Sequence, residues 1–417
     1  MINFNPFFSV AIKHRTTKEV LQLTTSLTND FPGVTSANEI YPIASSLKVT
    51  FTLGYANSVE IELSPDMKIW KILLDSNPSW FELGNWIMIE YGYLTPVRES
   101  IKFVTMINDL PSVSFGTSPS FTITGAGLGF LPLSDYKYVD TNNEYNSKTL
   151  IEILNYFCKK YGMRLSIRSE ISDKIKNSPV ERWGGGTNEW HNLYMVLAEH
   201  RCTMINRGDE LIVYNVDEMM KREPNFKLVW GKNVNIVNRN EGVKVLPILE
   251  FESGFEKIFM SNESFGLKTK ILSPDSNNLE ISDTIPALGQ GFPKLELDKP
   301  SDLKVNPAFF NNSYGNLLSA RQNMIFDGTV STIGDVEIIG GDVVYIENIS
   351  RFLDGNWLVF SKTDSIDSNG FTTSMDIKKN ALPKDFITEL AKEKNEQSPP
   401  QKLPPNTKNV SPEVEGD

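Results

Sequence analysis

The chain has 417 residues, too many for one ordinary hydrophobic core, so we expect about two to four domains. Hydrophobic residues make up 40% of it and charged residues 22%, a composition typical of globular proteins. The net charge of −11 argues against a protein that grips nucleic acid along a broad surface. It does not exclude an acidic lumen through which nucleic acid slides.

Neither a membrane span nor a leader is evident. No apolar run reaches the roughly 20 residues that cross a bilayer, and the N-terminus MINFNPFFSVAIKHR lacks the pattern of a signal peptide. We therefore expect no membrane insertion by this chain. Cys158 and Cys202 are the only cysteines, and we interpret both as buried, inert thiols in a reducing compartment.

Residues 1–130 are predicted to form a first β-barrel. Apolar and polar residues alternate in two neighbouring stretches, which predicts an antiparallel pair, and many short strands between turns are typical of a barrel. The predicted elements are strands over 46–53 and 59–63, a short helix or a turn over 67–75, and strands that begin at Gly84, Ile101 and Phe121.

Residues 131–240 are predicted to form an α+β module of two helix–strand units. The first helix has Ser147 as a plausible N-cap and ends at Gly162. The predicted elements are a helix over 147–161, a strand over 164–168, a helix over 187–200 and a strand over 210–214.

Residues 241–385 return to strands and predict a second β-barrel, interrupted by a loop and helix excursion over 273–324. Strands are expected at 248–251, 257–260 and 267–272, and a helix over 314–324. Residues 386–417 lose all apolar periodicity and are rich in proline, lysine and glutamate, so they predict a disordered tail. An inert tail and a docking peptide that orders on a partner both fit this composition.

The clearest strand pattern covers residues 341–377. The Asn369-Gly370 pair in it is the strongest hairpin signal of the chain. The predicted elements are a strand over 343–346, a turn at Asp354-Gly355, a strand over 357–360, an acidic turn over 364–367 and a strand over 371–377.

The start of this stretch repeats an earlier segment. GNWIMIE over 84–90 and GDVVYIE over 341–347 share the form Gly, Asn/Asp, any residue, β-branched, any residue, Ile, Glu. A repeat at this distance predicts two copies of one small β-domain, and the alternative is a chance similarity between two hairpins. The candidate site residues are therefore the shared positions of this duplicated strand, Gly84, Ile87, Ile89, Glu90, Gly341, Val344, Ile346 and Glu347.

No catalytic, cofactor or metal site is predicted. His14, His191 and His200 form no cluster with zinc spacing, and we expect surface or packing roles for them. The glycine-rich segment over 125–129 follows a strand but departs from GxGxxG, and Phe130-Leu-Pro132 stands where a phosphate-binding helix would begin. We interpret its glycines as a domain junction that needs tight turns. The chain is therefore predicted not to be an enzyme.

The order of these parts resembles the late control protein D family, the baseplate hub proteins of contractile-tailed bacteriophages. It is also similar to the N-terminal part of type VI secretion spike proteins. The resemblance runs from about residue 45 to 380. The segments that carry it are GNWIMIEYGY over 84–93, the stretch over 103–111 that leads to the strand over 121–125, the two helix–strand units, 327–330, and 341–373.

The resemblance implies a homotrimer in which each chain contributes two similar barrels to a quasi-sixfold ring. Such a ring joins the hexameric tail tube to the trimeric central spike, with other baseplate proteins as further partners and DNA only as cargo in the channel. It implies a virion protein made in the host bacterial cytoplasm, without metal or cofactor. No OB-fold or β-helix follows residue 385, so the spike is expected to be a separate protein.

Symmetry matching gives this reading its physical basis. A threefold object satisfies six equivalent contacts only if each chain repeats its contact surface. We therefore expect the ring contacts on the two repeat strands, whose open edges would pair between neighbouring chains. A carbohydrate-binding or peptidoglycan-hydrolysing tail component is the alternative, because multi-barrel β-proteins often bind sugars. A soluble enzyme of unrecognised type is a third.

Overall fold

A computed structural model describes the parts of the chain that form the strands and helices below. The described residues are 5–25, 37–76, 79–95, 98–128, 148–168, 176–177, 180, 189–200, 202–215, 222–231, 239–240, 242–255, 273–275, 280–282, 326–350 and 353–379. The expectations for Ser147, for strands at 257–260 and 267–272, for a helix over 314–324 and for the tail over 386–417 lie outside these residues.

The first part of the chain forms a barrel, as predicted. The wall has the strand order β4-β5-β9-β7-β6-β1-β2, and it closes where Ala44 N donates to Leu23 O at 2.9 Å. The elements are β1 Pro6–Lys13, β2 Val20–Gln22, β3 Glu39–Ile40, β4 Ala44–Thr52, β5 Ser58–Leu63, α1 Met67–Leu74, β6 Trp86–Tyr93, β7 Glu99–Ile107, β8 Ser112–Ser114 and β9 Ser120–Gly127.

Alternation of apolar and polar residues builds this wall. Leu47, Val49 and Phe51 of β4 are buried, while the residues between them face outward, so the predicted antiparallel pair of β4 and β5 is confirmed. The predicted short helix is α1. Asp66 caps it by accepting hydrogen bonds from Lys68 N and Ile69 N.

The α+β module consists of a three-stranded sheet with order β10-β12-β11 and two helices that share one apolar core. The N-cap of its first helix is Thr149, two residues after the predicted Ser147, and Thr149 N donates to Glu152 Oε2 at 2.8 Å. The helix ends at Gly162 in the left-handed region, as expected. The sequence missed strand β11. The elements are α2 Leu150–Tyr161, β10 Arg164–Ile167, α3 Glu189–Glu199, β11 Cys202–Arg207 and β12 Glu210–Asn215.

The second barrel closes fully, because its six strands follow the order β19-β13-β15-β18-β21-β20 and β20 pairs again with β19. The strands of this part of the chain, of which β14, β16 and β17 lie outside the six-stranded wall, are β13 Phe226–Val229, β14 Arg239–Asn240, β15 Val243–Phe255, β16 Ser273–Asp275, β17 Glu280–Ser282, β18 Phe326–Ile333, β19 Val343–Glu347, β20 Gly355–Asp367 and β21 Gly370–Lys379.

Two features differ from expectation. β16 and β17 pair antiparallel at the start of the predicted loop excursion, where no strand was expected. β20 continues to Asp367, so the acidic stretch over 364–367 is strand and not the predicted turn. The chain turns only at Asn369, where the hairpin signal lies.

Candidate functional site

The repeated segments occupy equivalent places in the two barrels. β6 and β19 each begin two residues after a glycine in the left-handed region, Gly84 with φ 84° and Gly341 with φ 91°. Gly84 N donates to Ile107 O at 2.9 Å, and Gly341 N donates to Val359 O at 2.8 Å. The sequence repeat is thus a repeat of one turn that leads into one strand of the wall.

The Asn/Asp position after the glycine serves the same purpose in both copies. Asn85 Oδ1 accepts a hydrogen bond from Arg15 N at 3.0 Å, and Asp342 Oδ2 accepts one from Ile339 N at 2.9 Å. Either side chain supplies the oxygen that satisfies a partly buried backbone donor. Burial raises the pKa of the Asp342 carboxyl.

The remaining candidate residues also fall at equivalent positions. The aliphatic pair of each copy, Ile87 with Ile89 and Val344 with Ile346, lies in the core of its own barrel. The glutamate that ends each copy forms an ion pair, although Glu90 is fully buried and Glu347 is partly exposed. Arg98 binds Glu90 at 2.6 Å and Lys227 binds Glu347 at 2.7 Å. The duplicated strand therefore serves folding, with core contacts on one face and ion pairs on the other.

The structure contradicts strand addition at these strands. β6 lies between β1 and β7, and β19 lies between β13 and β20, so the backbone of both is paired within the chain. The sequence similarity marked positions that share a turn and a core face, and such positions lie inside a barrel wall. It carries no information about which strand edges remain open.

The duplication also includes β4 with β5 and β15 with β18, which the sequence did not reveal. Each pair has one bulge at the same place, between Ala44 and Ser46 in the first barrel and between Ile248 and Glu250 in the second. The facing residues correspond on both sides of it: Ala44 with Leu63 and Ile248 with Thr332, then Ser46 with Glu62 and Glu250 with Ser331.

The barrels differ at one strand. β13 and β19 pair directly and in parallel in the second barrel, whereas β1 is inserted between β2 and β6 in the first. β2 and β13 hold corresponding places, because both run parallel to the chain that leads into the bulged strand. The first barrel is therefore the second one with an additional antiparallel strand in its wall.

The two barrels share one continuous sheet. Residues 47–52 of β4 pair antiparallel with residues 361–366 of β20, and we name these two segments the inter-barrel seam. Hydroxyl groups meet across it, Thr50 with Thr363 at 3.0 Å and Thr52 with Ser361 at 2.8 Å. Ile366 of β20 joins the hydrophobic core of the first barrel, so the seam combines backbone, polar and apolar contacts.

A buried charged cluster lies under the seam. Asp364 accepts hydrogen bonds from Tyr91 Oη at 2.5 Å and Thr373 Oγ1 at 2.6 Å, and Lys362 Nζ lies 2.8 Å from it. Burial raises the pKa of the Asp364 carboxyl, and the nearby Lys362 charge opposes that shift. Burial likewise raises the pKa of the Tyr91 phenol, with Asp364 as a further cause.

The cluster continues into a second link between the barrels. Lys244 Nζ of β15 lies 2.5 Å from Asp335 Oδ2 and 2.9 Å from Glu99 Oε2 of β7. Burial lowers the pKa of the Lys244 ammonium, but Asp335 and Glu99 outweigh it and raise the pKa above its ordinary value. Each charged group named here has a partner of opposite charge. The ion pairs therefore hold the two barrels in one orientation.

Known proteins match this chain in fold but not in sequence. No protein-family model and no curated protein sequence matches the chain. The 43 kDa tail protein of prophage MuSo2 from Shewanella oneidensis superposes with a TM-score of 0.56 at 11% identity, over 91% of this chain and 99% of that one. The tail protein from Neisseria meningitidis MC58 gives 0.53 at 11% identity, over 90% and 97%.

The chain has the fold of these tail proteins. The sequence-based resemblance is thereby confirmed at the level of the fold. A component of the type VI secretion system of Escherichia coli is a further neighbour, with a TM-score of 0.46 at 9% identity over 81% of this chain and 73% of that one.

Within the tail-protein fold, the glycine-rich segment joins the α+β module to the first barrel. Gly125 and Gly127 lie in strand β9, so the predicted tight turns are wrong for them. A Cβ on Gly127 would stand 1.4 Å from Asn206 Oδ1, and Asn57 Oδ1 accepts a hydrogen bond from Gly208 N at 2.9 Å. Close approach of the module therefore requires the glycine. Gly129 lies outside the described residues.

The remaining chemical candidates have packing roles where the structure describes them. His14 is buried, and its Nδ1 accepts hydrogen bonds from Thr16 N and Thr17 N at 3.2 and 3.1 Å. Burial lowers the pKa of His200. Among the described residues no group of three His, Cys, Asp or Glu could hold a metal ion. In the same ranges no helix is long and apolar enough to cross a membrane.

Proposed function

We propose that the chain is a structural tail hub protein whose homotrimer presents six similar barrels around a channel. The observation that carries this proposal is the duplication in register, since the two barrels share a turn, a bulge and facing pairs along corresponding strands. The tail-protein fold supports it. Residues 1–130 and 241–385 would supply the two barrels, and residues 131–240 the module between them.

The proposal gives the duplication a physical purpose. A trimer with one barrel per chain could offer only three contacts to a hexameric tube, whereas two equivalent barrels per chain offer six. The same trimer matches a threefold central spike without any change of symmetry. Other baseplate proteins would bind its periphery, DNA would pass only as cargo, and the protein would belong to the virion.

The rigid connection between the barrels suits a structural role better than a catalytic one. The buried charges under the inter-barrel seam neutralise one another at 2.5 to 2.9 Å, whereas a catalytic group must be able to reach a substrate. We therefore propose a non-enzymatic function. No observation favours the alternative of a carbohydrate-binding or peptidoglycan-hydrolysing component.

The mass of the full chain in solution tests the oligomeric state. Sedimentation equilibrium over a wide concentration range is expected to show a species with three times the mass of one chain. We expect no release of soluble fragments when this species is incubated with purified peptidoglycan. A chain that stays monomeric at every concentration and cleaves peptidoglycan would overturn the hub assignment.

A further inference from the structure

β15 and β8 each contain a segment with one unpaired edge in the part of the chain that the structure describes. β15 pairs with β13 only up to Pro247, so the same edge of its residues 251–254 is open while β18 pairs the other edge. β8 pairs with β9 on one edge only. Ser112, Ser114 and Glu252 beside these edges are exposed to solvent. Open edges of this kind template pairing with another chain.

The open edge of β15 corresponds to the β4 side of the inter-barrel seam. Because the bulge and the facing pairs coincide, Lys48, which faces Glu60, corresponds to Glu252, which faces Thr329. In the first barrel the equivalent edge is covered by β20. The second barrel thus repeats the half of the seam that receives a strand.

The open edge of β8 corresponds to the other half of the seam. Ser112 faces Thr122 of β9 as Thr363 faces Ser374 of β21, and Ser114 faces Ser120 as Ser365 faces Thr372. β8 therefore takes the place in the first barrel that residues 363–365 of β20 take in the second. Within the described residues, one chain thus uses one copy of each edge in its own seam and leaves the other copy of each unpaired.

We infer that β15 of one chain pairs antiparallel with β8 of a second copy, in the register of the inter-barrel seam. This inference rests on the proposed trimer and names its contact surface. Transferring the seam register predicts the facing pairs Gly254 with Ser112, Ser253 with Val113, Glu252 with Ser114 and Phe251 with Phe115.

The side chains support this register. The seam ends in an apolar pair, Leu47 with Ile366, and both residues are buried. The corresponding pair between chains is Phe251 with Phe115. Phe115 is 63% exposed in the single chain, whereas its counterpart Ile366 is 3% exposed. A neighbouring chain on this edge would bury the Phe115 ring as the seam buries Ile366. Removing this apolar surface from water would stabilise the contact between the chains.

The contact joins two different edges, so it is heterologous and forms a ring if the rotation closes. Each chain carries one donor and one acceptor edge, and three chains then alternate three internal seams with three seams between copies. Six barrels would meet at six similar strand pairings, and no edge of this kind would stay open to aggregate.

Cysteine cross-linking tests the pairing in the full-length chain. Glu252→Cys combined with Ser114→Cys places two outward-facing thiols opposite each other across the proposed contact. Antiparallel facing residues lie about 4.5–5.5 Å apart between Cα atoms, within the range that a disulfide spans. Cys158 and Cys202 are buried, and burial raises the pKa of the Cys158 thiol to about 12, so the native thiols should not compete.

We expect oxidation to link the chains of this variant covalently into dimers and trimers on a denaturing gel. Glu250→Cys with Ser114→Cys is the matched control, since two residues along a strand shift the thiol by about 6.8 Å. It should cross-link much more slowly, because cysteines whose Cα atoms are more than about 7 Å apart cannot be bridged without backbone movement. Lys48→Cys with Ser365→Cys reports the internal seam and should give a cross-link within one chain.

The outcomes separate the two levels of the proposal. A trimer in which the Glu252→Cys pair links no faster than the Glu250→Cys pair would overturn this register and leave the hub assignment standing. A chain that stays monomeric in sedimentation and gives no intermolecular cross-link would overturn both. Fast linkage of the in-register pair in a trimer would support both.

Discussion

Replacing Asp364 by asparagine is expected to lower the free energy of unfolding by about 3–5 kcal/mol. The change keeps the shape of the side chain but leaves the Lys362 ammonium, which is 1% exposed, without its carboxylate partner at 2.8 Å. An uncompensated buried charge is among the few causes of losses this large. Chemical denaturation followed by circular dichroism measures the loss.

A second substitution shows whether the stranded charge is the cause. Adding Lys362→Met to Asp364→Asn removes that charge, so the double variant should recover most of the lost stability. Asp367→Asn, on the exposed end of the same strand, is the matched control and should change the free energy of unfolding by less than about 0.5 kcal/mol. A double variant as unstable as Asp364→Asn would contradict the role assigned to this ion pair.

Truncating the equivalent isoleucine in either repeat strand should lower the free energy of unfolding by a similar amount. Ile89 and Ile346 hold equivalent positions, and both are fully buried. Ile89→Ala and Ile346→Ala should each cost about 2–5 kcal/mol, because each removes buried methyl groups and leaves a cavity. Ile72→Ala on helix α1, where the side chain is 51% exposed, is the control and should have little effect.

Calorimetry of these variants also tests whether the seam couples the barrels. The hydrophobic core of the first barrel includes Leu358, Ile366 and Phe371 from strands of the second, so we expect one cooperative transition. Both isoleucine variants should then lower the same transition temperature. Two separate transitions, each moved by only one variant, would show that the barrels unfold independently.

Local patterns in the sequence predicted much of the fold. Alternation over 46–53 and 59–63 gave a strand pair, and Gly162 gave a helix end, because both follow from periodicity or from one backbone conformation. The GNWIMIE repeat gave the duplication, since a positive φ and two inward aliphatic residues restrict what can occupy those positions. These constraints act within a few residues of the chain.

The seam and its charged cluster depend on contacts between segments that are distant in the sequence. Local sequence patterns do not predict such contacts. Lys362 and Asp364 stand at inward positions of β20, where charge is unusual, and that alternation was the available signal. An acidic stretch suggested a turn instead. The correspondence of β4 with β15 appears only in register and in the shared bulge, because their side chains differ almost everywhere.

Images of the assembled protein test the central claim most directly. Single-particle averages of the trimer, viewed along its axis, should show six barrels of similar size at one radius and one level around an open channel. Because the ring has threefold symmetry, the two kinds of barrel should alternate around it, and barrels of the same kind should look identical. Three barrels at an inner radius with the other three displaced outward or onto a second level would contradict the equivalence of the two halves, and with it the proposed hub.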